Sequence, residues 1–148
     1  MRYILVLALL IASLYSNAQK NTKVPPPRLV CPLADATEVI EKQPYSLGKE
    51  LKIILSSPSD TTVKAGIAGK VTNVQQDEDH KYIVILEFRN YYFWYGGITK
   101  PLVKEDQKIK AGDILGTLAP GGKLELHFFD FEDPIDPKKL LDCKLGTN

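Results

Sequence analysis

The sequence carries almost no net charge and has few of the residues that usually build redox or metal sites. Its 19 Lys and Arg residues and 18 Asp and Glu residues leave a formal charge of +1, so no electrostatic field favours nucleic acid or an anionic membrane. The two cysteines, Cys31 and Cys143, belong to no C-x-x-C pair and cannot form a zinc knuckle by themselves. The one long apolar run, from Ile4 to Leu14, is shorter than the roughly 20 residues of a membrane span.

This apolar run predicts a signal peptide. Arg2 supplies positive charge before it, and Ser16 and Ala18 place small residues at both positions that determine cleavage. We expect cleavage after Ala18, so that residues 1–18 form the signal peptide. The mature protein is then exported, to the periplasm or outside the cell, and has no membrane span.

Export changes the interpretation of the cysteines. In an oxidising compartment an even number of cysteines favours a disulfide, which predicts a Cys31–Cys143 bond. Two buried free thiols are the alternative. Residues 19–30 contain Pro25 to Pro27 and are interpreted as a polar, extended leader. Residues 31–148 then form one domain, because the length is typical of a single domain and a hydrophobic content of 44% suffices for a core.

The pattern of the chain predicts an all-β domain of barrel or sandwich type. Short runs of β-favouring residues alternate with turn residues, which argues against βαβ units. Strands are predicted at residues 51–55, 61–65, 69–75, 80–89, 91–95 and 123–131. Residues 31–43 leave strand and helix open, and residues 138–141 predict a helical turn. A Lys-Ala-Gly turn occurs at residues 64–66 and again at 110–112, which suggests two similar halves.

The stretch from Gln107 to Phe131 organises the predicted fold. It opens on a Gly-Asp turn that leads into a short apolar strand, and it ends in a strand rich in aromatic and β-favouring residues. Side chains alternate between the two faces of a strand. Glu125 and His127 therefore project from one face, with Leu126 on the other.

A run of five aromatic residues precedes this stretch. Alternation places Tyr91, Phe93 and Tyr95 on one face of the strand and Tyr92 and Trp94 on the other. The sequence does not decide which face is turned outward. One interpretation packs both faces, in the core and over an edge; the other makes the outward face a stacking platform for a sugar or an apolar group of a partner.

Several motifs resemble those of the lysostaphin/LytM-type peptidoglycan metalloendopeptidases. Residues 62–71 (TVKAGIAGKV) are similar to the family's "t-p-V-x-A-x-x-x-G-x-V" core, and residues 82–86 resemble its "y-x-V-x-I" strand. Residues 103–116 resemble "V-k-x-G-d-x-V-k-x-G-q-x-I-G", and residues 124–137 resemble "H-L-H-F-E-x…V-d-P". The resemblance covers about residues 51–141. It implies a two-layer, barrel-like domain, the duplicated hybrid motif, with a groove across one sheet.

The chain departs from the family's pattern at the catalytic positions. The first metal-binding motif of the family, His-x-x-x-Asp, aligns with Glu50 and Ile54. Its His-x-His aligns with Glu125 and His127, and the histidine of its Tyr-x-His aligns with Gly97. A hydrolytic zinc needs three protein ligands and a water, and an isoleucine cannot ligate. The comparison therefore implies a degenerate, non-catalytic member that has no cofactor and keeps His127 as a vestigial ligand.

The implied groove is predicted to be lined by Glu50, Tyr95, Gly97, Glu125 and His127. We expect Glu125 and His127 to hydrogen-bond to each other or to water. A groove without metal acts through shape, hydrogen bonds and apolar contact, which suits an extended peptide or a loop of a partner. The expected partner is a cell-envelope protein, such as a peptidoglycan hydrolase, or the peptidoglycan stem peptide.

Two alternatives stay open. The first is a zinc endopeptidase whose ligand set is rebuilt from Glu50, Glu125 and His127. The second is a biotinyl/lipoyl-like barrel, whose Lys-Ala-Gly-Asp turns are similar, although the chain has no Met-Lys-Met or Asp-Lys-Ala sequence at a hairpin tip.

Overall fold

The computed structural model describes residues 24–41 and 50–145, and the regular secondary structure in this part of the chain is almost entirely β-strand. The strands are β1 (Leu29–Val30), β2 (Thr37–Glu38), β3 (Lys52–Ser56), β4 (Thr62–Lys64), β5 (Gly69–Gln76), β6 (Tyr82–Phe88), β7 (Tyr91–Ile98), β8 (Lys100–Pro101), β9 (Lys108–Ile109), β10 (Ile114–Thr117), β11 (Lys123–Asp130), β12 (Asp133–Ile135) and β13 (Leu141–Asp142). A short 3-10 helix at Pro137–Lys139 overlaps the helical turn predicted at residues 138–141. The predicted all-β fold class is confirmed.

Two sheets enclose the core. The large sheet has the hydrogen-bonded order β2-β3-β11-β7-β6-β5-β9, with β12 paired to β11, and a smaller sheet has the order β4-β10-β8. Buried residues of both sheets belong to one hydrophobic cluster, for example Val63 and Leu115 of the small sheet with Phe93 and Leu126 of the large one. The small sheet covers one face of the large sheet, and the opposite face can carry polar groups.

Strand β11 lies inside the large sheet and shows the predicted alternation. Leu124, Leu126 and Phe128 are buried, whereas Glu125 and His127 are half-buried on the opposite face. The strand pairs antiparallel with β3 on one side and β7 on the other. The Glu-x-His pair therefore lies near the middle of the outward face.

The aromatic strand β7 turns its odd-numbered residues into the core. Phe93 and Tyr95 are buried, and Tyr92 and Trp94 lie half-buried on the outward face. The Tyr95 hydroxyl accepts a hydrogen bond from the Gly66 N–H at 3.1 Å. Burial raises the pKa of Tyr95 to about 12, and the Gly66 bond only partly opposes this effect. The prediction that Tyr95 lines the groove is wrong, because the register of β7 directs its ring into the core.

The two Lys-Ala-Gly turns contact each other. The Ala65 N–H donates to the Asp113 carbonyl at 2.8 Å, and the Gly112 N–H donates to the Ala65 carbonyl at 2.8 Å. The adjoining strands β4 and β10 pair antiparallel. Gly112 has φ +88°, a conformation that glycine adopts without strain. This reciprocal pairing is what two similar halves would produce.

The N-terminal end of the described chain is tied to its C-terminal end. Leu29 is buried in the core, and β1 pairs in parallel with β13. Leu29 and Val30, which the prediction assigned to the extended leader, are therefore part of the folded domain. The Cys31–Cys143 disulfide is confirmed, with Cα atoms 4.8 Å apart. The predicted signal peptide lies outside the described residues, and residues 24–41 and 50–145 contain no helix with the length and hydrophobicity to cross a bilayer.

Candidate functional site

The outward face of the large sheet brings together side chains from three neighbouring strands. Antiparallel partners project from the same face of a sheet, so the residues paired with Glu125 and His127 lie beside them. These partners are Ile54 and Lys52 on β3, and Gly96 and Trp94 on β7.

Lys52 lies among the polar residues of this face, and we call Glu50, Lys52, Glu125 and His127 the charged cluster. Lys52 Nζ lies 3.1 Å from Glu125 Oε2 and 3.2 Å from Glu50 Oε2. His127 Nε2 lies 2.6 Å from Glu125 Oε1, and His127 Nδ1 lies 3.9 Å from Glu50 Oε1. The expected hydrogen bond between Glu125 and His127 is confirmed. Each carboxylate thus faces both Lys52 and His127.

These contacts determine the charges in the cluster. The hydrogen bond with His127, together with the Lys52 ammonium, lowers the pKa of Glu125 from 4.5 to about 2 against the opposing effect of burial. Burial lowers the pKa of Lys52, but the hydrogen bonds and charges of Glu125 and Glu50 outweigh it, and the pKa lies above its usual value of 10.5. Lys52 and Glu125 therefore form an ion pair across the whole physiological pH range.

A concave pocket with a volume of about 400 Å³ adjoins the cluster on the side of Gly96 and Gly97, and we call it the polar basin. Ile54 and Ile83 lie in its lining, and Asp77, Asp79, Lys81 and Lys123 contribute charge. Gly97 lies here as predicted.

Gly97 has a tight backbone environment. Its φ is +89°, and a Cβ atom would clash with the carbonyl oxygen of Lys123 on β11. A side chain at Gly97 would therefore disturb β11 as well as fill the groove. Gly96 has room instead, since the nearest atom to its Cβ position is the Glu125 carbonyl oxygen at 3.6 Å. Gly96 is the better position for a substitution that blocks this surface.

Aromatic residues lie on the other side of the charged cluster. They surround a concave pocket with a volume of about 490 Å³, which we call the aromatic bay. Its apolar lining consists of Ile85, Tyr92, Trp94, Phe129 and Phe131. The ring centroids of Trp94 and Phe129 are 5.2 Å apart, and those of Trp94 and His127 are 6.5 Å apart. The polar basin, the charged cluster and the aromatic bay therefore follow one another across the sheet.

A sequence model described as peptidase family M23 matches residues 50–137. The match spans more than half of the chain. The chain belongs to peptidase family M23. The matched segment begins at Glu50 and includes the charged cluster and the aromatic bay, so the resemblance to the lysostaphin/LytM-type enzymes is confirmed.

Solved structures share the fold at low identity. Csd3 from Helicobacter pylori has a TM-score of 0.65 at 15% identity, covering 79% of this chain and 34% of its own. The SpoIIQ–SpoIIIAH pore forming complex has a TM-score of 0.59 at 15% identity, covering 78% and 92%. Lysostaphin from Staphylococcus simulans has a TM-score of 0.56 at 20% identity, covering 71% and 48%. This chain thus spans about a third of the length of Csd3. A comparison with curated proteins finds no match.

The charged cluster does not fit the zinc that the M23 resemblance implies. Ile54, which pairs with Glu125, offers no ligand atom. The Lys52 ammonium contacts both carboxylates, and His127 Nε2 is bonded to Glu125. Within the described part of the chain, no group of three or more His, Cys, Asp and Glu side chains is arranged to hold a metal. The donor set instead suits the ammonium already there, because each carboxylate receives a hydrogen-bonded positive charge.

Acid should weaken this M23 domain through Glu125. Its pKa rises from about 2 in the folded state to about 4.5 in the unfolded state, so its contribution to stability is complete above about pH 5 and is lost as the pH falls towards 2. The side chain is 39% exposed, and after allowance for screening we expect a loss of about 1–2 kcal/mol. Urea denaturation of wild type and Glu125→Gln between about pH 2 and pH 7 measures it.

Glu125→Gln should flatten this part of the pH profile. Glu105→Gln removes an exposed carboxylate away from the cluster and should leave the profile unchanged. Equal acid sensitivity of Glu125→Gln and wild type would show that the ion pair does not stabilise the fold.

Proposed function

We propose that this protein is an exported, non-catalytic member of peptidase family M23 that binds an extended peptide segment of a cell-envelope partner. The observation that carries the proposal is the position of Lys52. Its ammonium bridges Glu50, which aligns with a metal ligand of the family, and Glu125, which lies beside the vestigial ligand His127. A lysine there supplies positive charge, but it has no open coordination position that could activate a water.

The remaining groups are poorly suited to hydrolysis. Lys52 has a raised pKa and stays protonated, so it cannot act as a base at neutral pH. His127 is hydrogen-bonded to Glu125, and the position aligned with another family histidine is Gly97. General acid–base catalysis alone contributes about 10²–10⁴-fold, far below what peptide hydrolysis requires.

The same surface offers what a peptide-binding groove needs. It presents paired charges at the cluster, apolar area at the bay and a floor without side chains at Gly96. Hydrophobic lining with a few placed polar groups is typical of binding sites. The similar fold in the SpoIIQ–SpoIIIAH complex supports a partner that is a protein. The signal-peptide pattern and the disulfide support export. The partner class is a cell-envelope protein, such as a peptidoglycan hydrolase, or the peptidoglycan stem peptide.

The test compares wild type with Gly96→Arg, both without residues 1–18, for turnover of purified peptidoglycan, zinc content, and binding to sacculi and envelope extract. We expect no cleavage, and we expect Gly96→Arg to weaken binding at least about tenfold, because an arginine there fills the basin beside Glu125. Ile114→Arg adds the same charge at an exposed position of the small sheet and should bind like wild type.

Two outcomes would contradict the proposal. Stoichiometric zinc with EDTA-sensitive cleavage would show that Glu50, Glu125 and His127 form a rebuilt ligand set. Equal binding by wild type and Gly96→Arg would show that the groove is not the binding surface. The biotinyl/lipoyl-like barrel has no support from the M23 match, which spans residues 50–137.

A further inference from the structure

The aromatic bay has features that general peptide binding does not require. Tyr92, Trp94, Phe129 and Phe131 surround an open space of about 490 Å³ at one end of the groove. One charged side chain, that of Glu132, belongs to its described lining. Glu87 pairs with Tyr92 across β6 and β7 and so projects from the same face. Lys70 lies opposite Glu87 on β5 and projects from this face as well, so Glu132 is the charge that the described lining of the bay itself supplies.

Phe131 occupies an unfavourable conformation at the mouth of the bay. Its φ is +54°, and its side chain is 64% exposed. A bulky residue in the left-handed region is an outlier, and glycine or asparagine would satisfy the turn between β11 and β12 with less strain. The chain thus keeps an aromatic ring here against both backbone preference and burial. Strain of this kind is concentrated at functional sites.

Two polar side chains of the bay make hydrogen bonds within the protein. The Thr72 hydroxyl donates to the Ile85 carbonyl at 3.4 Å, and the Asn73 amide nitrogen donates to Gln75 Oε1 at 3.2 Å. The side-chain oxygen of Asn73 and the exposed Glu132 carboxylate are acceptors, which favour a ligand that carries N–H donors.

We propose that the aromatic bay binds an aliphatic primary ammonium side chain of the lysine type, presented by the peptide in the groove. The methylene stem packs on the rings of Trp94 and Phe129, and the ammonium is attracted by the aromatic faces and by Glu132. Charge complementarity carries the choice of ligand. The inference rests on the proposed peptide-binding function and specifies one side chain of that peptide.

The chain provides its own reporter for this site. Trp94 is the one tryptophan in the sequence, so its fluorescence and its indole N–H resonance report on the bay and on its border with His127. The probe is Nα-acetyl-lysine methylamide, titrated into the full mature chain. We expect it to shift the Trp94 resonance, and we expect the neutral analogue Nα-acetyl-norleucine methylamide to bind at least about fivefold more weakly, because it lacks the charge. Added salt should weaken the lysine probe and leave the analogue unchanged.

Two variants separate the parts of the site. Glu132→Gln keeps the shape but removes the charge, and it should weaken the lysine probe about fivefold. Phe131→Asn removes one aromatic wall at a position where asparagine tolerates the positive φ, and it should also weaken the probe. Asp142→Asn is the matched control, because it removes an exposed carboxylate on β13 that is not part of the lining of the bay, and it should bind like wild type.

Any of three outcomes of the titration overturns the inference. Equal binding of the lysine and norleucine probes would make the bay an apolar slot only. Tighter binding of N-acetylglucosamine would make it a saccharide site. No shift of Trp94 at about 50 mM lysine probe would show that it takes no such ligand. The free probe needs no partner, so a positive titration with failed envelope binding would refute the proposed function alone. Envelope binding that is unaffected by Glu132→Gln would refute this inference alone.

Discussion

Replacing both cysteines by serine should lower the free energy of unfolding by about 4–5 kcal/mol. The Cys31–Cys143 bond closes a loop with a sequence separation of 112 residues, and in the chain-entropy model a loop of this length restricts the unfolded state by about that amount. The bond also holds β1 next to β13, where Leu29 is buried in the core. Since a domain of this size is stabilised by only about 5–15 kcal/mol, the variant should lose a large part of its stability.

Urea denaturation of the oxidised wild type, the reduced wild type and the double variant measures this difference. The reduced wild type and the double variant should agree, because serine and a reduced cysteine leave the same loop open. A difference below about 1 kcal/mol between oxidised and reduced protein would contradict the expectation, with strain in the native state offsetting the entropy gain. Mass spectrometry without reductant, on protein taken from its native compartment, tests whether the bond forms in vivo and so tests export as well. Two alkylated thiols there would exclude the bond.

Much of the fold is predictable because its signals are local. The alternation in residues 123–131 predicts both the strand β11 and the common face of Glu125 and His127, since neighbouring residues on a strand point to opposite sides. The Lys-Ala-Gly repeat likewise predicts that two halves share a structure, and the hydrogen bonds of Ala65 with Gly112 and Asp113 fit this interpretation. Local patterns of this kind need no knowledge of which strands pair.

The errors and omissions concern pairing between distant segments. The orientation of Tyr95 follows from the pairing of β7 with β11, which places it opposite the buried Leu126. The packing of Leu29 depends on β13, which lies at the other end of the domain. Each of these facts depends on a partner strand, and a single sequence does not specify it.

Lys52 is the member of the charged cluster that sequence reasoning missed. Glu50 and Lys52 are two positions apart, as are Glu125 and His127, so the sequence contained a pattern that could have indicated Lys52. Its meaning depends on the pairing of β3 with β11, since Lys52 and Glu125 are 73 positions apart. The family alignment considers only the residue types of the metal ligands. It therefore draws attention to the absence of a ligand at Ile54 and not to the cation two residues before it.

Replacing Lys52 with aspartate should convert the charged cluster into a zinc site. The change removes the ammonium that bridges Glu50 and Glu125 and adds a third carboxylate beside His127, a set of oxygen and nitrogen ligands that zinc accepts. It also lowers the charge of the cluster by two units. The Coulomb energy between two unit charges about 4 Å apart is about 4 kcal/mol at an effective dielectric constant of 20, so the lower charge favours a bound cation. Calorimetric titration at pH 7 should show zinc affinity at least about 100-fold higher than that of wild type.

Two controls decide whether the ammonium itself excludes the metal. Lys52→Met removes the charge without adding a ligand, and it should raise zinc affinity by less than about tenfold, because it adds no donor atom to the side chains already there. Combining Lys52→Asp with His127→Ala should abolish the gain, because the one nitrogen ligand is lost. If Lys52→Asp stays folded by circular dichroism and binds zinc no better than wild type, the backbone spacing excludes the metal and Lys52 does not replace it. If wild type already binds zinc at micromolar concentration, the ammonium is displaced by the metal, and the non-catalytic assignment fails with it.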